Sequence, residues 1–318
     1  MKTILLLGGF GFIGTNILKY VDNQKELSEE YQFIVFDRID HNPHGVKFNS
    51  IRKVYVGDFS DETYLDQIFS ENEISFVIHS LSSTVPATSA NARFDVESNL
   101  ISTLKLLDVM NKHDVKDIVY ISSGGAIYGD VLQKVHNEED AVYPKSSYGV
   151  VKLAIEKYLL SYSELYGFRT LILRLSNPFG KYHYNERQGV INIAIRKSLR
   201  KEPLEIWGDG EGVKDYIYIE DFCAALFALI KEGIESTVYN VGGSLPLSVN
   251  DIVERISEID SEFKAEHVKA SALDVQSFEL DITKLRKKIG KLPFRRFGDS
   301  LRETYEWQRE EEEKKTKG

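Results

Sequence analysis

Cysteine is almost absent: Cys223 is the only one in 318 residues. An internal disulfide is therefore excluded, and with it any cysteine-rich metal centre. Proline is sparse too, at 7, and no Pro/Gly-rich or low-complexity stretch marks a linker. No apolar run approaches the roughly 18 residues needed to cross a bilayer. Basic charge is in deficit, with 40 Lys and Arg against 49 Asp and Glu and a net charge of -9. That balance argues against a general nucleic-acid binder, because phosphate attraction needs a basic face, although a local basic pocket for a nucleotide stays compatible with it. His79, His113, His136, His183 and His267 are scattered without metal-ligand spacing, so they read as structural and no metal is expected. Met1-Lys2-Thr3 runs straight into an apolar stretch, leaving no room for a signal peptide. The expectation is a soluble, cytoplasmic protein without a membrane partner.

What is present is patterned. A hydrophobic content of 42% suffices for one large core or two modest ones. The apolar run Ile4 to Leu7 leads directly into Gly8-Gly9-Phe10-Gly11-Phe12-Ile13-Gly14, which reads as a buried strand turning into a helix. Glycines at 8, 11 and 14 let the backbone NH groups around Phe12 and Ile13 approach a pyrophosphate at the positive end of that helix. A second strand, Phe33-Ile34-Val35-Phe36, ends in Asp37, about 20 residues further on, where a carboxylate would accept hydrogen bonds from ribose hydroxyls. A free carboxylate there repels a 2′-phosphate, which favours NAD over NADP; Arg38 beside it weakens the preference.

Strands and helices then alternate. Val54–Val56 is a short strand followed by a helix to about Glu71, Phe76–His79 a fourth strand, and Asn99 to His113 a long helix. Ile118–Ser122 is a fifth strand, Ser146 to Tyr166 a helix, and Thr170–Leu173 a sixth strand. Such alternation means an α/β fold with a parallel sheet and helices on both faces, binding ligands outside the carboxyl ends of its strands. After Gly180 the pattern loosens. Residues 1–175 are expected to form the cofactor domain, with 214–243 returning to its sheet as strand, helix, strand. Residues 176–213 and 244–318 would form a smaller α/β domain for the substrate. The tail Glu310 to Lys315 reads as a solvated, fraying helix end. The apolar faces of 100–109 and 153–160 suit either a homodimer or the cover of their own sheet.

Chemistry centres on Tyr148 and Lys152, whose i, i+4 spacing stacks them on one helix face. A tyrosine near its usual pKa of about 10 is a poor base at neutral pH. A neighbouring ammonium, with the positive charge of an oxidised nicotinamide, favours the phenolate. Ser122 and Ser123 lie at the preceding strand end.

In these motifs the chain resembles the extended short-chain dehydrogenase/reductase family, in its NAD-dependent nucleotide-sugar epimerase/dehydratase branch, over nearly its whole length. Gly8, Gly11 and Gly14 match GxxGxxG, and Tyr148-Gly149-Val150-Val151-Lys152 matches YxxxK. The resemblance implies a Rossmann-type doubly wound sheet, Asp58-Phe59 as the pair contacting adenine, and Asn99 beneath the cofactor. Ser122 to Gly129 resembles the active-site strand end, and Arg174 to Gly180 the segment whose Asn, here Asn177, contacts the sugar nucleotide. Trp207-Gly208-Asp209-Gly210 with Lys214-Asp215-Tyr216-Ile217 resembles a later substrate-binding stretch.

Three departures stand out. Gly124 replaces the usual Ser or Thr, so Ser122 or Ser123 would have to orient the sugar oxygen. Lys214 stands where Arg usually holds the diphosphate, keeping the charge and losing the fork. Ala270-Ser271-Ala272-Leu273-Asp274-Val275 lacks the usual Arg, with Lys269 the nearest cation. Dehydratases of the branch carry acids just after the active-site hydroxyl, whereas this chain has Gly125 and Ala126. The resemblance therefore implies a 4-epimerase of the UDP-glucose/UDP-galactose type, acting through a transient 4-keto sugar. The alternatives are a reductase of a 4-keto nucleotide sugar and a nucleotide-binding protein whose catalysis has decayed. Phe278 is expected as a bulky gate beside the sugar 2-position, favouring unacetylated sugars.

Overall fold

The apolar run after Thr3 forms the centre of β1 (Lys2–Leu7), in which Ile4, Leu5, Leu6 and Leu7 are all fully buried. In the computed structural model, residues 1–84, 91–129, 135–269, 277–290 and 294–317 are described. The chain divides into two compact units, Met1–Ile127 with Pro144–Arg174 and Leu226–Tyr239, and Tyr128–Tyr143 with Leu175–Ala225 and Asn240–Gly318.

The first unit is a Rossmann-type layer of helices on both faces of a parallel sheet. β1 leads to α1 (Phe12–Asp22), α2 (Lys25–Glu30), β2 (Tyr31–Asp37), β3 (Ile51–Val56), α3 (Glu62–Glu71) and β4 (Phe76–His79). Then come α4 (Ala92–Asp95), one π-helical turn at Val96–Ile101, α5 (Ser102–Lys112), β5 (Asp117–Ser123) and α6 (Gly124–Ile127). After β6 (Val135–His136), which belongs to the second unit, follow α7 (Ser147–Tyr166) and β7 (Arg169–Leu175). Seven strands make the main sheet, the last being β11 (Thr237–Val241), in the order β11-β7-β5-β4-β1-β2-β3. β1 pairs in parallel with both β2 and β4, so the chain reverses direction of travel across the sheet at β1. That switch point is where a ligand finds a crevice.

Strand parity sets the two layers. Leu5, Leu7, Ile34 and Phe36 share one buried cluster with Leu65, Leu106, Leu107, Ile155 and Leu159, from α3, α5 and α7. On the other face Tyr31 packs on Phe227 at 5.6 Å, and Phe227 stacks on Tyr20 of α1 at 5.9 Å. The apolar stripes of 100–109 and 153–160 thus cover their own sheet, and the stripes alone are no sign of a second copy. α7 is delimited locally: the Ser146 hydroxyl accepts the Gly149 NH at 3.1 Å, and Gly167 ends the helix at φ +70°.

After β6 the second unit continues with β8 (Asn177–Phe179), α8 (Val190–Leu199), β9 (Leu204–Trp207), β10 (Val213–Tyr218) and α9 (Ile219–Glu232), within which the chain passes into the first unit. β12 (Pro246–Leu247), α10 (Val249–Ser257), β13 (Ala265–Val268), β14 (Ser277–Leu280), α11 (Thr283–Ile289) and α12 (Phe297–Lys317) complete it. Of the stretch 214–243 expected to return to the main sheet, only β11 does so. β10 instead pairs with β8, β12 and β14 in a five-stranded sheet. The tail also differs from expectation: Glu312 bonds Arg200 at 3.1 Å and Glu311 accepts from the Tyr184 hydroxyl at 3.4 Å, so the end of α12 is held by side chains.

Candidate active site

The glycine turn joins β1 to α1. A Cβ on Gly14 would run into the Gly8 carbonyl oxygen and the Gly9 Cα, so helix and turn could not close. Gly11 is different. An added Cβ there would meet only the Gly8 oxygen, at 3.4 Å, so the chain's own packing does not require glycine at this exposed position. The space beside it is open to a ligand, and the first turn of α1 carries no acidic side chain to repel an anion. Asp37 ends β2 with its carboxylate accepting the Phe10 NH at 2.9 Å and the Arg38 NH at 2.7 Å. It therefore braces the turn; partial burial raises its proton affinity against the pull of those NH groups. The Arg38 guanidinium donates to Ser83 Oγ at 3.2 Å.

Asp58 accepts from both the NH and the hydroxyl of Ser60 at 2.8 Å, which holds its carboxyl below the usual range. The Phe59 side chain is closed to a ligand. Its ring is 2% exposed, packed on Phe36 at 6.4 Å and edge-on to His79 at 5.2 Å, so the side chain is core and only its backbone is left to meet an adenine. Asn99 lies in the π-helical turn, a local widening that often marks function. Its amide oxygen accepts the Ser83 NH at 2.8 Å and its nitrogen donates to the Asp95 carbonyl at 3.2 Å, fixing the loop after β4.

Asn99, Tyr148 and Lys152 line one cleft, with Leu81, Ser82 and Thr84. Lys152 is buried, donates from Nζ to the Ile121 carbonyl at 2.8 Å, and lies 4.7 Å from the Tyr120 ring centre and 5.8 Å from that of Tyr148. Burial pushes the Lys152 ammonium down to about 8, with Glu156 opposing. Burial likewise pushes the Tyr148 phenol up to about 12, and a hydrogen bond with Ser123 pulls the other way. The expected lowering by Lys152 is not seen: burial raises the phenol, and the Ser123 hydrogen bond is what opposes it. A phenolate here needs the further positive charge that an oxidised nicotinamide brings.

The two candidate serines separate. The Ser122 hydroxyl donates to Glu156 Oε1 at 2.6 Å, inside a buried pair with Arg174, so it is not available to a substrate. Ser123 meets Tyr148. Sequence reading overlooked Tyr120, Glu156 and Arg174; the signals were the strand parity of Tyr120 with Ser122 and the i, i+4 step from Lys152 to Glu156. His79 is buried, held neutral with its affinity down at about 3, and touches Thr103 Oγ1 at 3.0 Å.

In the second unit, Asn177 on β8 donates its amide to the Asp215 carbonyl at 2.9 Å, and Lys214 on β10 lies in register with Phe278. Phe278 is 2% exposed and stacks at 6.2 Å on His136, itself stacked at 4.7 Å on Tyr128. Inward parity with Leu280 on β14 makes Phe278 core, so the expected gate is withdrawn. The stretch 270–275, which lacks the expected Arg, lies outside the described residues. Tyr182 and Tyr184 pack edge-on against Trp307, at 5.2 and 5.4 Å.

Residues 4–242 match the model of the NAD dependent epimerase/dehydratase family. The chain belongs to that family. A putative UDP-glucose 4-epimerase of Methanocaldococcus jannaschii is 32% identical over 88% of this chain and 90% of its own length. The UDP-glucose 4-epimerase of Thermotoga maritima, solved with UDP-glucose, superposes with a TM-score of 0.88 at 30% identity, covering 97% of this chain and 99% of that one. The Thermus thermophilus UDP-glucose 4-epimerase, solved with NAD, gives 0.86 at 26% identity, covering 96% and 99%. The dTDP-glucose 4,6-dehydratase of Neisseria meningitidis also matches, 25% identical over 96% of this chain and 93% of its own length. The protein is thus an enzyme of this family, and its cofactor is NAD, which the Gly11 cradle and the acid-free start of α1 fit.

Proposed function

We propose that the protein is an NAD-dependent 4-epimerase of a nucleotide sugar of the UDP-glucose/UDP-galactose type. The observation that carries the reading is the Ser123–Tyr148–Lys152 arrangement followed by an acid-free α6. Expelling a sugar hydroxyl, as a dehydratase does, needs a proton donor, and Gly124-Gly125-Ala126 offers none. Bound NAD supplies hydride exchange at the sugar carbon. Tyr148 takes the proton of the 4-hydroxyl and returns it after the transient 4-keto sugar has turned its other face. Ser123 orients the reacting oxygen in place of the hydroxyl missing at Gly124. Lys152 supplies positive charge beside the phenol and donors for the nicotinamide ribose.

Asn177 and Lys214 are our assignments for substrate contact, and the UDP-glucose bound by the Thermotoga maritima relative supports the substrate class. A homodimer belongs to the same reading, supported by Ile101 and Tyr158, which stay 41% and 44% exposed. Purified protein incubated with UDP-galactose, and separately with UDP-N-acetylglucosamine, tests the proposal by NMR of the products. UDP-glucose formed without added reductant supports the epimerase. A 4-keto-6-deoxy product, stoichiometric use of added NADH on a 4-keto sugar, or binding without turnover would each overturn it.

A further inference from the structure

α7 presents Tyr148, Lys152 and Glu156 one helical turn apart, and each reaches a successive residue of β5. Lys152 Nζ bonds the Ile121 carbonyl at 2.8 Å, Glu156 accepts from the Ser122 hydroxyl at 2.6 Å, and Tyr148 is hydrogen-bonded with Ser123. Glu156 is 1% exposed and Arg174 4%. Arg174 meets it through Nη2 at 2.9 Å and through Nε at 3.2 Å to both oxygens. Burying two such charges costs desolvation that an apolar pair would avoid, so stability alone is a poor reason for the pair.

We propose that Glu156, held by Arg174, is a positioning residue for Tyr148 and Lys152, clamping the end of β5 to α7 through Ser122 and supplying the counter-charge that keeps Lys152 cationic. The proposal rests on the catalytic assignments above. Glu156 engages the Ser122 hydroxyl while Tyr148, two turns earlier on the same helix, is hydrogen-bonded with Ser123, so the end of β5 is held to α7 at two adjacent residues. The groups facing Lys152 are Tyr148 and Glu156 on α7, Tyr120 on β5 and His79 on β4, with Arg174 of β7 behind Glu156. Glu156 is the one carboxylate in that set. Burial withdraws the proton of Lys152 toward a midpoint of about 8, and Glu156 is the group that opposes it.

The test follows the Lys152 side chain by 13C NMR with ε-labelled lysine, in NAD-loaded protein without sugar, from neutral to alkaline pH. Lys152→Met assigns the signal. Glu156→Gln removes the carboxylate that opposes burial at Lys152 and should lower its midpoint by about one unit or more. Arg174→Gln leaves the Glu156 charge unopposed and should raise it, and the double variant, lacking the carboxylate beside Lys152, should lie between Glu156→Gln and wild type. A merely structural pair predicts no opposed shifts, so folded single variants that move the midpoint in the same direction, or not at all, overturn the proposal. Ser122→Ala keeps both charges and tests the clamp without breaking the pair. It should lower kcat on the nucleotide sugar by about tenfold or more with KM and the Lys152 midpoint unchanged, and an unchanged kcat overturns the clamp. Because the titration needs no substrate, it stands whether or not the protein epimerises UDP-sugars.

Discussion

Tyr148→Phe separates proton chemistry from everything else this side chain does. The substitution keeps the ring that lies 5.8 Å from Lys152 Nζ and deletes the oxygen that meets Ser123. General acid–base transfer by a positioned group contributes about 10²–10⁴ in rate, or roughly 3–5 kcal/mol at about 1.4 kcal/mol per tenfold. The lost hydrogen bond bears on stability by only about 1 kcal/mol, and a ring of the same shape remains, so the expected change in Tm is about 2 °C or less. We assign cofactor grip to the glycine turn and Asp37, so NAD content should match wild type. The assay is turnover of UDP-galactose followed by NMR, with NAD occupancy from the absorbance of the released nucleotide and Tm from a thermal melt. A variant that keeps more than about a tenth of wild-type kcat would refute Tyr148 as the proton carrier. So would a loss of activity accompanied by loss of NAD, since the defect would then lie in binding.

The Asp37 carboxylate at the end of β2 leads us to expect NAD to bind at least about tenfold more tightly than NADP, a factor worth about 1.4 kcal/mol; equal affinities in a calorimetric titration would show that Arg38 governs the ribose pocket. Phe278→Ser should destabilise the protein by about 3–5 kcal/mol, as expected for a buried aromatic cut down in a core, without opening it to UDP-N-acetylglucosamine; new activity on the acetylated sugar at unchanged stability would restore the gate. Burial pushes the folded Lys152 ammonium down to about 8 from its ordinary 10.5, so the unfolded chain binds more protons between these limits and Lys152 makes stability rise with pH there. Tyr148 has the opposite effect from 10.0 up to about 12, where the unfolded chain gives up its proton first. Thermal melts of Lys152→Met should therefore lack part of the wild-type gain in stability between neutral pH and about 10, and an unaltered gain would contradict the buried, depressed ammonium.

Short-range pattern was enough for much of this protein. The apolar run Ile4–Leu7 followed by spaced glycines specifies a buried strand, a tight turn and a helix start, because each requirement is met within one stretch of chain. The i, i+4 step from Tyr148 to Lys152 puts both on one face of α7 for the same reason. The regular alternation of apolar strands and amphipathic helices likewise dictates a parallel sheet covered on both faces.

Tertiary structure decided what depends on partners distant in the chain. Which serine serves Tyr148 turned on Glu156, a carboxylate on another element that engages Ser122 and leaves Ser123. Phe59 and Phe278 look like ligand contacts in sequence, yet the rings of Phe36 and His79 in one unit and of His136 in the other bury them as core. β10 joined the smaller sheet through pairing with β8, β12 and β14, strands that local sequence pattern does not bring together. The proton affinities of Tyr148 and Lys152 were set by desolvation, a property of the folded surroundings that residue spacing does not contain.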